Sequence, residues 1–229
     1  NVNALKTRII EGLTTYAKST DVNKFGGRFK YSKALNIIDD IDTAITSNIT
    51  RVKIRRNLRA VLNSFAQYEL CFGNKFNINS AGYNIKSTGF TINGFNDIAY
   101  ITDVPNKNAS GGLDGSNMGT LSVVTKNNKG EQRVIVKDAG VVDYKKGEVI
   151  LNTINITSTV SQNNIIEVQA FPESNDVVGL KDLYLNFDVS KSTINTTKDV
   201  IASGEDVSGV VFTRDYYTSS YSNGDLERK

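Results

Sequence analysis

Three aspartates stand close together in the first quarter of the chain. Asp39, Asp40 and Asp42 form the densest group of carboxylates in the sequence. Carboxylate oxygens are ligands that calcium and magnesium prefer, so this group has the chemistry of a hard-cation site. Its spacing does not match an EF-hand loop, and aspartate also ends helices and caps turns. We therefore predict a structural corner without a metal here, and we predict no cofactor elsewhere.

A run of basic residues follows the aspartates at Arg51, Lys53, Arg55, Arg56 and Arg59. Such a run has the chemistry to contact the phosphates of a nucleic acid. The net charge of the chain is only +3, and no aromatic residues that could stack on bases are interleaved with the run. We predict that the run does not bind nucleic acid. Two other interpretations of the run stay open: a solvated face of a strand, or a contact with an acidic protein surface.

The residue types that are missing limit the possible chemistry. The 229 residues include no histidine and one cysteine, Cys71. Nucleophiles activated by histidine and an internal disulfide framework are therefore excluded. The glycine-rich stretch 111–115 lacks the lysine and hydroxyl that complete a P-loop. No apolar run reaches the length of a membrane span. We predict that the chain is neither an enzyme nor a membrane protein, although a glycosidase that uses two carboxylates needs no histidine.

Two stretches near the start have the apolar spacing of amphipathic helices, residues 2–18 and residues 31–41. A glycine-containing link joins them, which favours a helical hairpin. From Ile49 the apolar residues alternate instead, with Arg51, Lys53 and Arg55 on the opposite face. The pattern predicts a strand that begins at residue 49 and has one basic face.

Strand patterns dominate from there to residue 190. Residues 121–125 and 132–136 predict one hairpin, and residues 141–144 and 148–151 predict another. We also predict that residues 83–85 pair with residues 90–92. A long stretch rich in glycine, asparagine and serine, residues 106–119, is a candidate contact loop. Four tyrosines are possible interface anchors or core residues: Tyr144, Tyr216, Tyr217 and Tyr221.

These elements predict an α+β fold with an N-terminal helical hairpin packed on a mostly antiparallel β-rich region. We expect three parts. Residues 1–60 hold the hairpin and the first strand, and residues 61–190 hold the β-rich region. Residues 191–229 form a tail rich in serine and threonine, with a short strand or helix.

Residues 25–58 carry a family resemblance. Their pattern is similar to the C-terminal region of the baseplate wedge ring protein of contractile-tailed phages, which belongs to the baseplate J-like group. The matching residues are Arg28, Phe29, Tyr31, Ser32, Leu35, Ile38, Asp39, Asp42, Ile45, Thr46, Ser47, Asn48, Ile49, Thr50, Arg51 and Val52. A second match, in the same order along the chain, covers residues 166–177 and continues through residues 180–188.

The resemblance implies a structural component of the virion tail baseplate, assembled in the host cytoplasm. Copies would form a homo-oligomer whose dimer contacts close into a ring around the tail tube, and they would bind other wedge and hub proteins. It also implies that this sequence is part of a longer chain in which further residues precede Asn1. The candidate interface comprises Arg28, Tyr31, Asp39, Asp42, Arg51, Lys53 and Arg55. A glycan- or receptor-binding module of a phage tail is the alternative, although the absence of tryptophan disfavours a sugar site.

Overall fold

The computed structural model describes residues 2–127 and 129–197, together with the backbone of residues 221–222 and 225–226. The predictions for Tyr216, Tyr217 and the side chain of Tyr221 lie outside the described residues, as does most of the predicted tail. The helices are α1 (Val2–Ala17) and α2 (Tyr31–Asp39), and single-turn 3-10 helices span Gln162–Asn164 and Val189–Lys191.

Strands make up most of the regular structure in the described part of the chain. In order they are β1 (Arg28–Phe29), β2 (Ile54–Arg59), β3 (Phe65–Cys71), β4 (Lys86–Ser87), β5 (Phe90–Ile92), β6 (Phe95–Pro105), β7 (Met118–Lys126), β8 (Gln132–Asp143), β9 (Glu148–Thr159), β10 (Ile165–Ala170), β11 (Val177–Val178), β12 (Tyr221–Ser222) and β13 (Asp225–Leu226).

Five strands, β5 to β9, close into an antiparallel barrel. The first half of β9 pairs with β8, where Glu148 lies opposite Asp143, and its second half pairs with β5, where Thr159 lies opposite Phe90. Strand β3 adds to β9 outside the closed ring. Because side chains alternate across each strand, one apolar set fills the interior. Leu121 is among the fully buried members of that set.

A second sheet, in the order β2-β10-β4, packs on the barrel. Leu58 of β2 and Ile166 and Val168 of β10 belong to the same buried cluster as the barrel interior. Alternate residues of β10 are therefore core, and the residues between them, such as Glu167, face outward.

The two helices bury their apolar sides in a smaller core. Tyr16 of α1, Phe29 of β1 and Val177 of β11 form its centre, and Phe187 packs against them. Strands β1 and β11 pair with each other and form the floor of this core. The helices therefore rest on a two-stranded ladder rather than on the barrel.

The predicted α+β fold with a helical hairpin on a β-rich region is wrong. The chain is mostly β, with 40% strand and 16% helix, and a barrel of five strands dominates it. The two helices themselves are confirmed, since α1 and α2 fall within the predicted stretches. Residues 18–30, which include β1, separate the helices, so the link is not a short turn. Closure of the barrel depends on distant pairings that local periodicity does not contain.

Two strand predictions are also corrected, while two hairpins are confirmed. Strand β2 begins at Ile54, and Ile49 is 97% exposed, so the alternation from residue 49 does not form a strand. The segments at residues 83–92 do not pair with each other, because β4 pairs with β10 and β5 pairs with β6 and β9. The predicted hairpins correspond to the β7–β8 and β8–β9 pairings.

Candidate functional site

The two stretches that carry the family resemblance lie side by side in the fold. Strand β1 pairs with β11, and β2 pairs with β10, so residues 28–59 contact residues 165–178. The backbone N–H of Tyr31 donates to Asp176 Oδ1 at 2.8 Å and adds a further link. Together these segments and the helices form the surface on which the candidate interface residues lie.

The corner after α2 is held by the carboxylate of Asp42. Its Oδ2 accepts from Arg8 Nη1 of α1 at 2.6 Å, and its Oδ1 accepts from the N–H of Ala44 at 3.0 Å. Arg8 also donates to the carbonyl of Ile41. The Ala44 hydrogen bond, followed by the Arg8 contact, lowers the pKa of Asp42 below its ordinary value. The Asp42 carboxylate therefore links the corner after α2 to α1.

Two further side chains at this corner also make internal contacts. Asp39 Oδ1 accepts from Asn48 Nδ2 at 2.5 Å. The Tyr31 hydroxyl donates to the carbonyl of Thr50 at 2.8 Å. These bonds hold residues 48–50 against α2 although that segment has no regular structure. Across the described ranges, no group of three or more acidic, cysteine or histidine side chains is placed to hold a metal ion.

Arg55 takes part in a half-buried charge cluster on the outer face of the β2-β10-β4 sheet. Arg55 Nη1 lies 2.8 Å from Glu167 Oε1, and Lys191 Nζ lies 2.5 Å from Glu167 Oε2. Burial alone raises the pKa of Glu167. The hydrogen bonds and charges of Lys191 and Arg55 outweigh burial, so the net pKa is below the ordinary value. Glu167 thus joins β2, β10 and the segment after β11.

Replacing Glu167 with glutamine should lower the free energy of unfolding by about 1–2 kcal/mol at pH 7, because two cations lose their shared carboxylate. Urea unfolding measures the difference. Since the folded-state pKa is depressed, the stabilisation is full above the unfolded-state pKa of Glu167 and is lost as the pH falls through the folded-state value. The gap between wild type and Glu167→Gln should therefore close in acid.

The exposed Lys75–Glu173 pair provides a matched control, with its charged atoms 2.8 Å apart. Glu173→Gln should change the stability by less than about 1 kcal/mol, since exposed ion pairs contribute little. Equal stability of Glu167→Gln and wild type at pH 7 would contradict a structural role for the cluster.

The three remaining candidate residues are exposed cations. Arg28 lies on β1 opposite Val178. Arg51 and Lys53 precede β2, and the Lys53 ammonium lies 5.7 Å from the centroid of the Phe171 ring. The structure therefore does not place Arg51, Lys53 and Arg55 on one strand face. It leaves Arg28, Arg51 and Lys53 available to a partner.

A buried polar cluster inside the barrel was missed by the sequence reasoning. The carboxylate of Asp103 is fully buried and accepts from Asn84 Nδ2 at 2.8 Å, from the N–H of Ile85 at 2.6 Å and from the Tyr144 hydroxyl. Burial, reinforced by the charge of Asp103, raises the pKa of Tyr144. Tyr144 is fully buried, so it is a core residue and not an interface anchor. The cluster is closed by its own hydrogen bonds and stabilises the barrel.

Membrane insertion by a helix has no support in the described residues, since neither α1 nor α2 has the length and apolarity of a span.

One comparison with known families gives a match. Residues 1–57 match the family described as baseplate structural protein gp6, C-terminal domain III. The matched part contains α1, β1, α2 and the start of β2, about a quarter of the chain, and does not reach residues 166–188. No curated protein matches the sequence. The match supports a structural role in a phage tail baseplate for this chain.

Proposed function

We propose that this chain is a subunit of the baseplate wedge in a contractile phage tail, and that copies of it associate into the ring around the tail tube. The match of residues 1–57 to a baseplate structural family carries this proposal. A structural family also favours a role without catalysis. Contacts with other wedge and hub proteins belong to the same proposal.

The exposed cations beside α2 support a contact surface in the matched region. Arg51 and Lys53 are exposed, and they belong to a segment fixed by the Tyr31–Thr50 hydrogen bond. A backbone that is already fixed loses less conformational entropy when an interface forms. Charged residues at the rim of an interface set the register between subunits. We place the contact between copies here.

Light scattering coupled to size exclusion, run over a range of concentrations, tests this proposal. Wild-type protein should show a mass above that of one chain, rising with concentration. The double variant Arg51→Glu/Lys53→Glu should associate at least about tenfold more weakly, because reversal replaces attraction with repulsion. Arg55 is left unchanged, since its contact with Glu167 supports the fold.

The control variant is Arg133→Glu/Lys137→Glu, which reverses two exposed cations on β8 of the barrel. It should associate as wild type does. A wild-type monomer at the highest concentration would contradict self-association by this chain. Equal association of both double variants would contradict the placement of the contact.

A further inference from the structure

Two aromatic side chains lie exposed beside the β1–β11 ladder. Phe25 is 65% exposed and Tyr184 is 52% exposed. Their rings meet edge to face, with centroids 5.3 Å apart and planes at 81°. The two residues also form a backbone bridge, and the Tyr184 hydroxyl donates to the carbonyl of Asn23 at 3.0 Å. The pair is therefore held in one geometry while most of its apolar surface faces solvent.

The surrounding backbone forms a continuous surface from two distant parts of the chain. Gly179 N donates to the carbonyl of Gly27 at 2.7 Å, and Gly26 N donates to the carbonyl of Leu180 at 3.2 Å. Residues 24–28 and residues 178–184 consequently run side by side. Val178 lies opposite Arg28 in the β1–β11 ladder and is 41% exposed, so it adds apolar surface to the same segments. We call Phe25, Val178 and Tyr184 the aromatic face.

Basic side chains surround the aromatic face. Lys24, Arg28 and Lys181 are all exposed, against one exposed carboxylate in these segments, Asp182. Among the described residues, the ion pairs include none of these three cations. Just outside these segments, Asp21 is bound to Lys33 with the charged atoms 2.8 Å apart and also interacts with Lys24. The exposed carboxylate of Asp176 accepts from the N–H of Tyr31. Residues 24–28 and 178–184 therefore combine exposed apolar side chains with a net positive charge.

We propose that the aromatic face docks an acidic surface of a different baseplate protein. The proposal rests on the proposed baseplate function and names the chemistry of one partner. Exposed aromatic residues fixed at the centre of a patch are typical anchors of protein interfaces, and the polar rim around them selects the partner. A rim of lysine and arginine matches a surface rich in aspartate and glutamate.

A second copy is a poor occupant of this face. In a two-fold dimer the same patch meets itself, so the basic rims would lie opposite one another. Like charges placed together disfavour association. The contact between copies proposed above joins Arg51 and Lys53 of one copy to a different surface of the next copy in the ring, and it lies outside the aromatic face. The two surfaces therefore serve different partners.

Photocrosslinking in assembled tails tests the proposal. Phe25 is replaced by the photoreactive p-benzoylphenylalanine in phage particles that contain the full chain, and crosslinked peptides are identified by mass spectrometry. We expect a peptide from another baseplate protein, with aspartate or glutamate beside the crosslinked residue. The control site is Phe65, which is 72% exposed on β3 and should not give that peptide. A crosslink to another copy of this chain, or no crosslink at Phe25, would overturn the proposal.

Neighbouring residues of opposite charge test the basic rim. Lys181→Glu should reduce the share of the chain incorporated into tails by at least about tenfold in competition with wild type, because it places a negative charge against the acidic partner surface. Asp182→Lys, one position later, should be incorporated as well as wild type or better. Equal incorporation of Lys181→Glu would overturn the proposal. Absence of the wild-type chain from tails would instead refute the proposed function.

Discussion

Asp103→Ala should lower the free energy of unfolding by about 3–5 kcal/mol, the largest effect expected of a single polar substitution in this chain. The carboxylate is fully buried and is the shared acceptor for Asn84, Ile85 and Tyr144. Alanine would remove the acceptor of the Ile85 N–H and the Tyr144 hydroxyl and would leave Asn84 Nδ2 only its 3.3 Å bond to the Asn79 carbonyl. Each unsatisfied buried group costs about 1–3 kcal/mol. Urea unfolding at 25 °C and pH 7 measures the loss.

The same strand supplies the control for this experiment. Asp97 is exposed near the start of β6, so Asp97→Ala should change stability by no more than about 0.5 kcal/mol. Tyr144→Phe removes a single donor and should give an intermediate loss of about 1–2 kcal/mol. If Asp103→Ala unfolds at the same urea concentration as Asp97→Ala, the cluster does not stabilise the barrel.

Phe29→Ala is expected to remove about 3–5 kcal/mol, because it empties the centre of the small core under the helices. Phe29 is 6% exposed, and its ring centroid lies 5.8 Å from that of Tyr16 and 5.1 Å from that of Phe187. Those rings come from α1 and from the segment after β11. Because Tyr16 and Phe187 lose their packing on Phe29, the helices should be destabilised more than the barrel. Faster hydrogen exchange of the α1 amides than of the barrel amides would measure this difference.

Phe25 offers a control with the same side chain four positions earlier. Because its ring is largely exposed, Phe25→Ala should leave the stability within about 0.5 kcal/mol of wild type. The two variants separate folding from docking, since Phe25→Ala keeps the fold while removing half of the aromatic pair. Equal loss of stability in both variants would contradict the assignment of Phe29 to the core.

Local patterns in the sequence predicted the elements that form from neighbouring residues. The spacing of Leu5, Ile9, Leu13 and Tyr16 predicted α1, and the last three of these side chains are buried while Leu5 is half-buried. The β7–β8 and β8–β9 hairpins were predictable because short turns bring their strands together. The closed barrel was not, because β5 pairs with β9 across more than fifty residues of intervening chain, and local patterns do not specify such a pairing.

The contacts of the candidate interface residues could not be predicted for the same reason, because they join distant parts of the chain. Arg55 was identified as a charged residue, but Glu167, its partner, is 112 residues away in sequence. Alternation at residues 49–53 resembled a strand, yet side-chain bonds such as Tyr31 to Thr50 fix that segment without a strand ladder. The pairing of Phe25 with Tyr184 likewise joins residues that no local pattern relates.

The packing of Phe29 against Val177 and Phe187 also sets the order in which the protein can finish folding during synthesis. Helices α1 and α2 are made before the residues that complete their core, which follow more than a hundred positions later. Contacts between such distant residues slow folding, because a long loop must close before they form. The nascent helices therefore stay only partly packed until β11 and Phe187 have been made. Helices α1 and α2 therefore acquire their final packing only after residues 177–187 have been made.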